Sequence, residues 1–276
     1  MARSHTTFYT FAALILLGLM ATAFIALGNW QLDRAAQRES ISLAIQAGRE
    51  SPPLHVSATT PESELVQWRS ASANGTWLHA LTVRIENRNF KGKPGYWVAT
   101  PLLIDPATRT ALLVLRGWQP RPTRLGDNPS AIPQPETQQQ ISGQLVSRVP
   151  RLFELWSFSD ASNTALPAQL PSATNPVPTV QNLDLNDYAR ATGLKLLPTV
   201  LEQTTISTDA TGKSTQGDDT LAREWPLPSL DANKNRGYAL QWFGFATIAA
   251  GAWLVVAWRA LRRRKKIAGA LRTPSN

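Results

Sequence analysis

The chain has 276 residues and a formal charge of +9, and it lacks cysteine, which excludes a disulfide framework, a thiol nucleophile and a thiol-based copper site. The charge is localised: seven basic residues (Arg259, Arg262, Arg263, Arg264, Lys265, Lys266 and Arg272) stand in 259–276 without an acidic one. Segment 28–237 balances 20 basic against 19 acidic side chains, so a basic nucleic-acid-binding face is not expected.

Residues 1–7 form a short leader to an uncharged apolar stretch, residues 8–27. At about 1.5 Å per helical residue this stretch reaches about 30 Å, the hydrocarbon thickness of a bilayer. Ala21-Thr22-Ala23 resembles a signal-peptidase site, but Phe24-Ile25-Ala26-Leu27 prolongs the apolar run beyond it, so a retained anchor is expected. A second uncharged run covers 238–258, with Trp242 and Trp258 near its ends as interfacial aromatics. The basic tail, 259–276, places both termini on the cytoplasmic side by the positive-inside rule. Residues 28–237 then form a periplasmic domain of a protein in a bacterial inner membrane. The lipid surface itself is partner enough for the tail.

Beyond the first span, Asn29–Ala47 has few helix breakers and is expected to prolong the helix until Pro52-Pro53 ends it. Leu81, Val83 and Ile85 alternate with polar residues, the period of a half-buried strand. Tyr96–Ile104 and Thr110–Trp118 flank the turn Asp105-Pro106-Ala107-Thr108 and predict a hairpin, with Ala111–Leu115 deeply buried. A Pro/Gln-rich connection, 120–140, precedes a strand at Ile141–Arg148. Asp160–Thr179 is expected to be a long irregular loop. Asp184 is placed to cap a short helix that stops near Gly193. Leu194–Thr204 and Glu224–Leu227 are expected to return as strands. The architecture predicted is α+β: two transmembrane helices with an antiparallel barrel- or sandwich-like β domain between them.

No catalytic constellation stands out, and an enzyme is not expected. Thr211-Gly212-Lys213-Ser214-Thr215 resembles the end of a phosphate-binding loop, but Ser207 occupies the position of its first glycine, so it reads as a loop. His55 and His79 are the histidines of the central domain, and neither sits in a metal-ligand spacing. Of ten tryptophans, Trp30, Trp225 and Trp242 fall near the membrane boundary, whereas Trp77, Trp97 and Trp118 lie on strand-like segments. Interfacial anchoring and core filling account for both groups, although a planar hydrophobic ligand would use the same residues.

Several short motifs, taken in order, resemble the SURF1 (Shy1) family of cytochrome c oxidase assembly proteins. Leu27-Gly28-Asn29-Trp30-Gln31-Leu32-Asp33-Arg34 is similar to the family's LGxWQxxR signature. Gly75-Thr76-Trp77, Asn87-Arg88 and Gly95-Tyr96-Trp97-Val98-Ala99-Thr100-Pro101-Leu102 follow. Leu112–Pro120 resembles an LLVNRGWxP element, with Leu115 where asparagine is usual. Gln181-Asn182-Leu183-Asp184 and Gly237–Gly244 complete the series.

The resemblance implies an assembly factor for aa3-type haem-copper oxidase, assisting haem a insertion or stabilising a haem-receptive subunit I intermediate. A haem a-binding carrier and a general periplasmic scaffold are the alternatives. Haem a would be held transiently, and its usual proposed ligand is a histidine just before the second span; Asn235 stands in that place. The candidate ligand-contacting residues are therefore Arg34, Arg88, Arg116, His79 and Trp242. Guanidinium groups suit bidentate pairing with carboxylates, haem propionates among them, and internal salt bridges are the alternative for all three arginines.

Overall fold

A computed structural model describes residues 2–124, 129–135, 138–151, 165–209, 220–228 and 230–270. The chain divides into two compact units, Met1–Leu43 with Pro228–Asn276 and Ala44–Leu227. The phosphate-loop-like segment Thr211–Thr215 and the start of the Asp160–Thr179 loop lie outside the described residues.

The first unit is helical. Helix α1 runs Ala2–Glu50, about 73 Å at the usual rise, so it extends well beyond the thickness of a bilayer. It stops where Pro52-Pro53 forbids another turn; Ser51 N–H and Oγ both donate to the Ala47 carbonyl, at 3.1 and 2.8 Å. The C-terminal helix, Ala232–Ala270, begins where Asp231 Oδ1 accepts the Lys234 N–H at 3.1 Å, satisfying one otherwise unpaired helix-start donor. Both helices are long and apolar enough to cross a membrane. Phe8, Phe11, Leu16 and Leu19 on the first, and Leu240, Ile248 and Leu254 on the second, are exposed in the structure. A bilayer would cover such surface.

The second unit is a closed barrel. Its ring is formed by β2 (Ser70–Trp77), β6 (Gln139–Val146), β8 (Lys195–Gln203), β5 (Thr110–Pro120) and β4 (Lys93–Asp105). The pairs Thr76↔Leu103 and Trp77↔Leu102 join β2 to β4 and close it, which removes the free edges that an open sheet would present. All ring pairings are antiparallel except β5 with β8. Strand β1 (Leu54–Val56) lies parallel to β2, β3 (Val83–Phe90) adds to β4, β7 (Thr179–Val180) to β3, and β9 (Thr208–Asp209) to β6.

Strand β5 carries the core on both of its faces. Leu112 and Val114 point into the barrel with Ala73, Leu102, Ile141 and Leu201. Leu113 and Leu115 point outward, yet are as fully buried, under Val83, Ile85, Trp97 and the short helix α2 (Leu185–Thr192). An uninterrupted apolar run in a strand is what two-sided burial requires. Each such leucine stabilises the fold by about 1.5–3 kcal/mol. Helix α2 is fixed in place by Asp184, whose side chain accepts from Asn186 and Asp187 N–H, and by Gly193 in the left-handed conformation at φ 64°. Its Tyr188, fully buried, donates its hydroxyl to the Leu81 carbonyl, and burial pushes that phenol far above its ordinary pKa.

Two expectations are corrected. Glu224–Leu227 is irregular rather than a strand; Pro226 and Pro228 remove ladder donors, and only Ala222 bridges Trp118, by paired bonds of 2.7 and 2.9 Å. Leu81 belongs to a tight 3-10 turn, His79–Leu81, ahead of β3.

Glu202 of β8 sits opposite Leu115 and Gln144 and is 4% exposed. Desolvation pushes its carboxyl up to about 7. A carboxyl whose pKa is raised on folding contributes its full stability below the unfolded value, and that contribution is lost as pH rises through the folded value. Stability of the detergent-solubilised chain is therefore expected to fall between pH 5 and pH 8 by about 2–3 kcal/mol on this account. Glu202→Gln should flatten that slope in urea unfolding at the two pH values; an unchanged slope would contradict the assignment.

Candidate functional site

The site is built where the apolar run of α1 gives way to polar residues, opposite the start of the C-terminal helix (α3, Ala232–Ala270). Gly28 allows close approach there: a Cβ on it would lie 2.6 Å from the Phe243 ring. One turn further, Asn235 Nδ2 donates to Gln31 Oε1 at 2.6 Å, with Asn235 only 9% exposed. Arg38 Nη1 donates to the Asp231 carbonyl at 2.9 Å, and Arg236 Nη2 meets Glu39 Oε2 at 2.6 Å. Below this polar clasp, Phe24 stacks on Trp242 at 5.7 Å between centroids.

Beside the clasp is a cavity of about 570 Å³ whose walls include Trp30, Gln31, Arg34, Arg38, Lys234 and Asn235. Asp231 is the carboxylate among its lining residues, against three cations, and Tyr238 adds an aromatic wall. Arg34 lies over Trp30 at 5.7 Å and donates to Gln37 Oε1 at 3.3 Å. The arrangement can neutralise and hydrogen-bond an anionic oxygen group. The lining contains amides and guanidinium groups and no imidazole. Among the described residues, no group of three or more His, Cys, Asp or Glu could hold a metal.

Of the residues singled out from the sequence, Arg34 and Asn235 share this cavity, and Trp242 lines the next one along the helix pair. The others lie in the barrel unit. Arg88 is 4% exposed, stacked on Trp97 at 4.5 Å, and donates to the Pro150 and Gln181 carbonyls at 2.9 and 3.4 Å. Its own carbonyl accepts Trp118 Nε1 at 2.7 Å. Burial lowers this guanidinium to about 10, leaving it charged at neutral pH. Arg116, fully buried, lies over Trp77 at 4.7 Å and donates to the Pro133 carbonyl at 2.8 Å. It occupies a bulge of β5 ahead of Gly117, whose φ of 149° suits glycine. His79 Nε2 donates to the Pro135 carbonyl at 2.8 Å, so that nitrogen carries a proton. Gln31, Arg38, Lys234 and Tyr238 were not singled out from the sequence; the seven-residue spacing Phe24, Gln31, Arg38 was the available signal.

A protein-family model described as the SURF1 family matches residues 18–247, more than half of the chain, from within α1 through the barrel into the first part of α3. The chain belongs to the SURF1 family. A comparison with curated protein sequences finds no significant match. SURF1 proteins are membrane-associated assembly factors, and membership is consistent with a role in building cytochrome oxidase. Two of the family-like motifs, 27–34 and 237–244, meet in this helix pair through Gly28 and Phe243.

The Gly28 contact leaves no room for a side chain. Gly28→Leu should separate the helices at this point and lower the Tm of the detergent-solubilised protein by several degrees, an effect of about 1–3 kcal/mol. Gly237→Ala, where a Cβ meets nothing within 4 Å, should not lower it, since alanine is the better helix former.

Proposed function

We propose that this chain is an assembly factor for aa3-type haem-copper cytochrome c oxidase. It stabilises a haem-receptive intermediate of subunit I rather than turning over a substrate. The observation that supports this most is the reach of the family match, which runs from the first apolar helix through the barrel into the second. The protein sits in the inner membrane of a bacterium with both termini cytoplasmic and the barrel periplasmic; the basic block Arg262–Lys266 supports that orientation.

Haem a suits this site in part. Arg34, Arg38 and Lys234 would donate to the carboxylates of a porphyrin. Asn235 is no match for iron ligation: it holds Gln31 at 2.6 Å, and an amide is a poor axial ligand beside imidazole. The haem a-carrier reading therefore has less support than the intermediate-stabilising one, and no step is assigned to iron binding here. Roles divide accordingly. Arg34, Trp242 and Asn235 belong to the working helix pair, while Arg88, Arg116 and His79 hold the barrel together. Contact with the oxidase within the bilayer uses the face carrying the small residues Gly244 and Gly251, beside which space is open.

The test is a reduced-minus-oxidised spectrum of membranes from a deletion strain, with and without plasmid rescue. The expected result is loss of the haem a band, with b- and c-type bands intact, restored by the wild-type gene. Arg34→Ala should restore it only partly. An unchanged spectrum under conditions that express the oxidase would instead favour a general periplasmic scaffold.

A further inference from the structure

The polar cavity has an apolar neighbour on the same helix pair. It measures about 390 Å³ and is lined by Leu17, Met20, Phe24, Trp242, Phe245 and Ile248, among others. The two share a seam. Leu17 and Phe24 of the apolar cavity, and Gln31 and Arg38 of the polar one, follow at seven-residue steps along α1. Asn235 and Trp242 do the same on α3, as do Tyr238 and Phe245. Seven residues return an α-helix to within about 20° of the same direction, so both cavities open on one side of the pair, one above the other.

We infer that this paired cleft is a binding site for one anionic phospholipid, its phosphate held by Arg34, Arg38 and Lys234 and an acyl chain laid in the apolar cavity. The inference rests on α1 and α3 being membrane spans. It is independent of the oxidase role, because it is read on the purified protein rather than in the respiratory chain.

Three observations favour this occupant. Charge is complementary: three cations face the polar cavity against the single lining carboxylate of Asp231. Depth is right as well. Met20 and Arg34, near the middles of the two cavities, are 14 residues apart, about 21 Å along the helix. Half a bilayer with its headgroup layer is about 20–22 Å. Lastly, Trp30 and Tyr238 line the polar cavity, at the level where such rings meet the lipid–water interface. A soluble anion would need the upper cavity alone and would leave the lower unexplained.

Full-length protein, stripped of lipid in a maltoside detergent, is titrated in native mass spectrometry with phosphatidylglycerol and with phosphatidylcholine of identical acyl chains. Inorganic phosphate is run alongside. One phosphatidylglycerol is expected to bind at least tenfold more tightly than phosphatidylcholine, with phosphate weaker than either lipid. Lys234→Gln with Arg34→Gln should abolish the preference, and Met20→Trp should weaken phosphatidylglycerol about fivefold by filling the lower cavity. Lys234 is exposed and Met20 is 38% exposed, so these variants spare the buried seam, and unchanged circular dichroism checks it. Equal affinity for the two lipids would overturn the proposal, as would a preference that survives the double variant. Phosphate binding as tightly as phosphatidylglycerol would show a soluble-anion site instead and overturn it too.

Discussion

A hydrogen bond between two neutral amides, Asn235 to Gln31, closes the helix pair at the level where apolar side chains end and charged ones begin. Buried polar groups at such a boundary are costly unless they satisfy one another. The 2.6 Å contact removes that cost and fixes the register of α1 against α3. Once the register is set, Gly28 must face Phe243, Phe24 must meet Trp242, and Arg38 reaches the Asp231 carbonyl. The cationic cavity follows from that register, since Arg34 and Lys234 come from helices about 200 residues apart in sequence.

The barrel solves a different problem with similar chemistry. Arg88 and Arg116 are buried cations that donate to main-chain carbonyls, and each sits over a tryptophan ring. Stacking on a ring face and donating to carbonyls offsets part of the desolvation of a guanidinium. Its planar, many-donor head lets one side chain gather loops that have no ladder of their own: Arg88 joins Pro150 and Gln181, and Arg116 holds Pro133. The RGW and NR motifs thus read as structural rivets of the barrel. Arg34, by contrast, lines the cationic cavity of the helical unit.

Legibility in the sequence followed the range of the interactions. The spans and the β4–β5 hairpin were readable because run length and two-sided burial are local signals, and Asp184 and Gly193 marked α2 at both ends. Strand β2, Ser70–Trp77, was marked in the sequence only at its end, where Trp77 was placed on a strand-like segment. Its Ser, Ala, Asn and Gly residues have weak strand preference, and it is held by partners on β1, β4 and β6. Barrel and sandwich could not be separated either, because closure rests on two residue pairs between β2 and β4. At the site, Arg34 and Asn235 were found through motif resemblance, but the cavity they share depends on helix pairing. Seven-residue spacing is visible in a sequence only once one knows which helices meet.

Asn235, which the sequence resemblance sets where a histidine is usual, decides what the clasp can do. An imidazole there would titrate near neutral pH and offer a nitrogen to a metal. An amide does neither; it donates and accepts hydrogen bonds and stays neutral at every physiological pH. In this chain the position therefore contributes register rather than ligation, and the charge beside it is carried by Arg34, Arg38 and Lys234. A helix pair locked by a neutral bond and edged with cations is suited to gripping an acidic group at a membrane surface.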